Sequence, residues 1–553
     1  MTPVAKPRNI LWIMCDQLRY DYLSCYGHKT LHTPNIDALA TRGVRFTNSY
    51  VQSTICGPSR MSAYTGRYVR SHGSTYNGIP LRIGEPTLGD HLRDAGMRTV
   101  LIGKTHMTAD TEGMERLGID PNSIIGVHSA QCGFEPFERD DGLHPSDGPH
   151  EAPEYNRYLA EKGYTGESPW ESWANAAEAP NGEVLNGWLW THADKPARVA
   201  EEDSETPYMT RRAMDFMAQA QADGRPWCAH LSYIKPHWPY LVPAPYHDMY
   251  GLEDIPPVVR NQAELDNGHP IFRAFTEEKH SQNFARPGAR EKVIPAYMGL
   301  IKQIDDQLGL LFSFMEDRGM MQDTMIVFTS DHGDYLGDHW LGEKYLFHDV
   351  SAKVPMIIVD PDPAADKTRG QVSERLVEMI DLAPTFLEVA DGEAKPHVLE
   401  GTSLLPVLHG QKAAEKTYVF SEFDYAPETA RYKLEVPVQN SRMVMVFDGR
   451  FKLVECRGFR PMLFDLQTDP DELTDLGDHP DFVAERARLL AAIHSWYQDA
   501  RTRITKRDDS FTRDDALRAE GGDPTLRSGI IIGYWDEDEL KAEQDRIARF
   551  DQG

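Results

Sequence analysis

The sequence predicts an α/β fold with a mixed, largely parallel central sheet flanked by helices. Three observations predict it. Short apolar runs of buried-strand type recur along the chain, helix signals stand between them, and four of the runs end in polar clusters, where open α/β sheets bind ligands.

The first run, NILWIMC at 9–15, stops at Asp16 and Gln17. In STICGPSRMSAYTGR (53–67), Pro58 suits a first helical position and Gly66 the residue just past the helix end. Cys56 then sits at a helix mouth, where unpaired N–H groups favour an anion and lower a thiol's pKa. Spacing alone leaves open a small buried cysteine packed as a hydrophobe. TVLIG (99–103) runs into Lys104 and His106, and WCAHLSYI (227–234) into Lys235 and His237. A helix is expected over 297–320, where Tyr297, Leu300, Ile301, Ile304, Leu308, Leu311, Phe312 and Met315 form one apolar face. MIVFTS (325–330) ends at Asp331 and His332, and PMIIVD (355–360) is a further strand.

With 553 residues, 40% of them hydrophobic, the chain can bury a large core. A formal net charge of -28 argues against nucleic acid or an anionic membrane as partner, so an anionic substrate needs a local basic island. The six cysteines have neither metal-like spacing nor disulfide-like density. The apolar run near the start ends too soon, at Asp16, for a signal peptide or membrane span. Together these predict a cytoplasmic location.

The four strand ends should converge on one crevice. Asp16 and Asp331 offer hard oxygen ligands to a divalent cation, and Gln17 and His332 could complete the shell. Arg60, Lys104 and Lys344 supply the basic island, and His106 and His237 are candidates for proton transfer.

CGPSR (56–60) resembles the C-x-P-x-R maturation signature of cysteine-type sulfatases, and GMRTVLIGKTHM (96–107) resembles their second signature. TSDHGDYLGDH (329–339) and KVPMIIVDP (353–361) extend the likeness. RFKLVECRGFRPMLFDLQTDPDELTDL (450–476) is similar to the C-terminal antiparallel subdomain of the family. The chain thus resembles the type I sulfatases of the alkaline phosphatase superfamily. That resemblance implies an alkaline phosphatase-like fold, with a smaller C-terminal antiparallel sheet subdomain. It also implies that a maturation enzyme oxidises Cys56 to formylglycine while the segment is unfolded, and that the hydrated aldehyde, a geminal diol, attacks sulfur on the metal beside Arg60. His237 would then protonate the leaving ester oxygen, and His106 would deprotonate the second hydroxyl so that sulfate is expelled. Lys104 would steady the diol, while Lys344 and the metal would offset charge on the transferring group.

The Asp16–Gln17 and Asp331–His332 pairs are similar to those of the choline sulfatase and phosphonate monoester hydrolase branch. An imidazole ligand brings manganese or zinc level with magnesium or calcium. Lys104 and His106 match the sulfatase pattern, where phosphonate hydrolases tend to carry tyrosine and threonine. Asn77 resembles a substrate-contacting asparagine of the branch, with an unliganded turn asparagine as the alternative.

The expected activity is hydrolysis of small, anionic sulfate esters, aryl sulfates above all. Phosphonate monoesters or phosphodiesters are the alternative substrates, and a non-catalytic metal- and anion-binding protein with unmodified Cys56 is the alternative of another class. The expected organisation is a catalytic domain over 1–415 with an insertion at about 111–206, an α+β subdomain over 416–505, and a tail over 506–553. The insertion carries Trp170, Trp173, Trp188 and Trp190 and is expected to roof the site. The tail's apolar patch, Ile530, Ile531, Ile532, Tyr534 and Trp535, is expected to clasp a second subunit in a homo-oligomer, dimer or tetramer.

Overall fold

The computed structural model describes residues 9–141, 154–507, 536–539, 541, 542 and 545. Every element below belongs to one compact unit, formed by the described residues through Ala394 and from Gly401 to Ala500. The tail's apolar patch at 530–535 lies outside the described residues.

The central sheet has eight strands: β1 (Asn9–Asp16), β2 (Val44–Tyr50), β3 (Arg98–Gly103), β4 (Glu135–Arg139), β5 (Trp227–Pro236), β6 (Thr324–Ser330), β7 (Met356–Val359) and β8 (Gln371–Glu378). Their order is β8-β2-β7-β6-β1-β5-β3-β4. Neighbours are parallel except β7, which runs antiparallel to both β6 and β2. All five runs expected as strands are in this sheet. Every residue of β1, β5 and β6 is buried, as a sheet covered on both faces requires. Strand β4 comes from within 111–206, so that stretch builds one edge of the central sheet.

Alternation along β1 sorts the two faces. Leu11, Ile13 and Cys15 join the core formed with α2 (Glu205–Asp223) and α3 (Ala289–Asp317). Trp12 points the other way, onto Tyr64 of α1 (Cys56–Thr65) and Phe386. Trp12 pairs with Val327 and Met14 with Thr329, so Asp16 and Asp331 continue the face that α1 covers. This places the two carboxylates under Cys56.

The 29-residue helix α3 begins eight residues before the expected 297 and ends at Asp317. Pro295 lies inside it, in the second turn, and is the reason the apolar pattern reads cleanly only beyond it. In α1, Cys56 is the first helical residue and Pro58 the third, not the first. Pro58 still costs nothing there, since the first N–H groups of a helix have no intrahelical partner. Gly66 closes the helix in the left-handed region, at φ 63°.

A second, antiparallel sheet follows: β9 (Val419–Asp424), β10 (Arg442–Phe447), β11 (Phe451–Cys456) and β12 (Met462–Asp465), in that order. One face carries α4 (Val483–Gln498) through Leu489, Ile493 and Trp496. The other packs Met443, Met445 and Phe447 onto Tyr50, Tyr335 and Phe347. Lys452 is buried in that interface, with its Nζ 2.6 Å from Asp349 and 2.7 Å from Glu472. The antiparallel sheet thereby braces the loop that carries Lys344. Among the described residues, no helix is long and apolar enough to cross a membrane.

Candidate active site

The C-terminal ends of β1, β3, β5 and β6 meet the N-terminus of α1, and their polar clusters converge, except that Lys235 turns away to the Pro239 carbonyl at 3.1 Å and to Glu205 at 3.7 Å. Cys56 is fully buried. Its Sγ lies 2.9 Å from Lys344 Nζ, 3.0 Å from His332 Nε2 and 3.8 Å from Asp16 Oδ1. Burial pushes the thiol up, but Lys344, His332 and Lys104, with a hydrogen bond from His106, hold it well below the usual thiol range.

Beneath it, Arg60 clamps the two carboxylates. Its Nε donates to Asp331 Oδ2 at 2.7 Å and its Nη2 to Asp16 Oδ2 at 3.2 Å, with all three side chains fully buried. Its Nη1 donates to the carbonyl of Lys104 and to Ser232 Oγ, at 2.9 and 2.8 Å. With the guanidinium so occupied, Arg60 orients the carboxylates. Lys104 Nζ adds a contact to Asp16 Oδ2 at 2.6 Å.

Asp16, Cys56, Asp331 and His332 each present a ligand atom within 4.8 Å of the others. The His332 Nδ1–H donates to the carbonyl of Gly333 at 2.8 Å, which fixes the tautomer and leaves Nε2 for the cluster. Two hard carboxylates and one imidazole fit a divalent cation. Burial pushes the His332 imidazole down, but Asp331 and Cys56 raise it overall, so a proton is favoured where a cation's charge would serve.

Gln17 borders this cluster. Its backbone N–H donates to Asp331 Oδ1 at 3.0 Å, its Oε1 accepts from Lys344 at 3.1 Å, and its Nε2 donates to Asp334 at 2.5 Å. His106, at φ 55°, is bonded through its backbone N–H to Asp141 at 3.0 Å. Burial and Lys104 lower its imidazole, which therefore stands neutral beside Cys56. The His237 Nδ1–H donates to the carbonyl of Trp238 at 2.6 Å, which leaves Nε2 free to exchange a proton. Asn77 Oδ1 accepts the backbone N–H of Gly57 at 2.8 Å, so this side chain sits on the helix mouth beside Cys56. A Cβ at Gly57 would stand 2.7 Å from that same Oδ1, so a larger residue there would push the Asn77 side chain aside.

The sulfatase family profile matches residues 8–392, well over half of the chain. The chain belongs to the sulfatase family. A second profile, the C-terminal region of N-sulphoglucosamine sulphohydrolase, matches residues 337–498, which include the antiparallel sheet. Among curated relatives, the multifunctional alkaline phosphatase superfamily protein PehA of Trinickia caryophylli is 31% identical over 86% of this chain and 92% of its own length. The choline-sulfatase of Rhizobium meliloti is 28% identical over 99% of this chain and 96% of its own. The solved phosphonate monoester hydrolase of Silicibacter pomeroyi superposes with a TM-score of 0.77 at 28% identity, covering 89% of this chain and 95% of that one. The resemblance to the branch holding choline sulfatase and phosphonate monoester hydrolase is thus shown, and membership of the family supports sulfate ester hydrolysis.

Sequence reasoning missed the residues that hold this sulfatase site in shape. Ser232 lies inside β5 among apolar neighbours, and nothing in the pattern singles it out. Asp141 follows β4, a strand whose half-buried residues carry no clear alternation. Asp334 had a signal, its place three residues after Asp331. Burial raises its carboxyl above the usual range, against hydrogen bonds from Tyr240 and Gln17.

Proposed function

We propose that this sulfatase hydrolyses small aryl sulfate esters, using a formylglycine made from Cys56 and one divalent metal ion. The observation that carries the reading is the setting of Cys56. It opens a helix, is fully buried, and has Lys344, His332 and Asp16 around one atom. Sγ stands where an oxygen of the hydrated aldehyde would be. A side chain with no exposure is out of reach of a modifying enzyme in the folded protein, which fits oxidation of the CGPSR segment before folding.

Asp16, Asp331, His332 and an oxygen of residue 56 would hold the ion, with Gln17 alongside; when bound, it supplies positive charge at the nucleophile and the transferring group. Lys344 offsets charge on the sulfuryl oxygens, and Lys104 keeps Asp16 ionised and steadies the diol. Attack by the diol oxygen that stands in for Sγ, ionised by the charge of Lys344 and His332, forms a bond to sulfur and breaks the bond to the ester oxygen, which takes a proton from His237 Nε2. Neutral His106 then removes the proton of the second hydroxyl; the carbonyl reforms, its bond to the sulfate oxygen breaks, sulfate leaves, and water adds to the carbonyl to restore the ionised diol, its released proton returning to His237. Asn77 would contact the substrate beside the nucleophile, a role supported by its hydrogen bond at the helix mouth. A reducing, cytoplasmic setting fits the six unpaired cysteines.

The second reading is phosphonate monoester or phosphodiester hydrolysis by the same nucleophile, favoured by the Asp16–Gln17 and Asp331–His332 pairs and by PehA and the Silicibacter pomeroyi hydrolase. Lys104 and His106 favour sulfate. A sulfate group presents three polar oxygens where a phosphonate presents two and a carbon, and two polar side chains beside the nucleophile suit the former. The test is kcat/KM for phenyl sulfate against phenyl phenylphosphonate. A higher value for the sulfate ester is expected; a preference for the phosphonate ester overturns the choice.

A further inference from the structure

A cavity of about 250 Å³ lies beside the site, walled by Trp188, Trp190, Trp238, Tyr240, Phe284 and Glu343 among others. It shares structure with the catalytic groups at three points. The Trp238 ring packs on that of His237, with centroids 4.4 Å apart. The Tyr240 hydroxyl donates to Asp334, which in turn holds Gln17. Glu343 precedes Lys344 and acts on its charge. The group that leaves on the far side of the ester, protonated by His237, must lie on the His237 side of the nucleophile, and this cavity is there.

Its chemistry is selective. Three indoles, a phenol and the Phe284 ring line the wall, and Trp188 and Trp238 meet edge to face at 5.7 Å. Glu343 is the one acidic side chain of the lining, which holds no lysine or arginine, and among the described residues its carboxylate has no hydrogen-bond or ion-pair partner. Burial lowers the His280 imidazole, so it adds no positive charge. Three buried polar atoms of the lining also lack partners: Trp238 Nε1, His280 Nε2 and Asn283 Oδ1. An apolar aromatic wall with an unpaired carboxylate and a spare carbonyl acceptor suits a cation attached to an apolar body. A cavity of about 150 Å³ already accepts benzene, so this one has room for a substituted ring.

We propose that this cavity is the leaving-group subsite, and that it selects esters whose leaving group is one ring in size and bears a positively charged nitrogen. The proposal rests on the sulfate-ester reading above for the identity of the ester. A substrate of this class is a zwitterion, its sulfate facing Lys344 and its ammonium facing Glu343.

The test compares 4-(aminomethyl)phenyl sulfate, cationic at neutral pH, with isosteric 4-ethylphenyl sulfate, in wild type and Glu343→Gln. Differences in leaving-group pKa are common to both proteins and cancel in the comparison. The ratio of kcat/KM values, cationic over neutral, is expected to fall about tenfold in the variant. Benzylammonium, titrated by tryptophan fluorescence with benzyl alcohol as the neutral control, reads the pocket without turnover, and its Kd should rise by a similar factor. An unchanged ratio, with both esters hydrolysed, overturns the subsite and leaves the sulfatase reading standing. Benzylammonium binding that depends on Glu343, in a protein that turns over no sulfate ester, upholds the cation pocket and overturns the sulfatase reading instead.

Discussion

Replacing Arg60 with methionine keeps the length and apolar stem of the side chain and removes the charge between Asp16 and Asp331. Both carboxylates are fully buried, 3.2 and 2.7 Å from the guanidinium. Removing one partner of a buried ion pair costs about 3–5 kcal/mol, because the other is left uncompensated. Two pairs are broken here, but Lys104 remains 2.6 Å from Asp16, so the loss falls mainly on Asp331 and stays near the value for one pair. A divalent cation between the carboxylates replaces the missing charge, so bound metal must shrink the penalty. The assay is urea unfolding of wild type and Arg60→Met, first in EDTA and then with excess manganese. In EDTA the variant should be destabilised by about 3–5 kcal/mol. With manganese the gap should narrow by about 1.4 kcal/mol or more, equivalent to tenfold tighter metal binding by the variant. A gap under about 1 kcal/mol in EDTA, or one that metal leaves unchanged, refutes the reasoning.

Three further outcomes are expected. His237→Ala should keep its metal and lose on the order of 100-fold or more in rate on phenyl sulfates with poor leaving groups, and far less on nitrophenyl sulfates; a defect that does not vary with leaving-group pKa removes His237 as the acid. Replacing Lys104 with Tyr and His106 with Thr together should narrow the sulfate-to-phosphonate ratio, chiefly through lost sulfatase activity, and an unchanged ratio contradicts their assigned part in selectivity. In Gly333→Ala the new Cβ would stand 1.9 Å from the Val350 carbonyl oxygen, so the strand end must move and carry with it the Gly333 carbonyl that orients His332. Metal affinity should fall about 10–100-fold by titration, and wild-type affinity in that variant would show that the His332 orientation does not depend on this carbonyl.

Much of this site was legible because strand ends punctuate sharply. Buried runs such as NILWIMC and MIVFTS cannot end in aspartate without a reason, and the parity that places Trp12 under α1 also places Asp16 and Asp331 there. Cys56 was legible through its neighbours, Pro58 and Gly66. What stayed hidden depends on tertiary contact. Strands β2, β4 and β8 are partly exposed edge or near-edge elements with mixed composition, so their apolar signal is diluted. The orientation of Gln17 follows from Lys344 and Asp334, which lie more than 300 residues away in the chain. The tryptophans of the 111–206 stretch show no periodicity, because Trp188 and Trp190 line a cavity with Trp238 while Trp170 packs in the core and Trp173 against Tyr164.

The proposed reaction requires residue 56 to work as formylglycine. Its most direct test is mass spectrometry of the peptide spanning Ser53–Arg67, from protein produced together with a formylglycine-generating enzyme and shown to hydrolyse phenyl sulfate. A working formylglycine gives a peptide that has lost sulfur and two hydrogens and gained one oxygen, partly hydrated, in a fraction that tracks specific activity across preparations. An active preparation in which residue 56 is wholly the free thiol would contradict it.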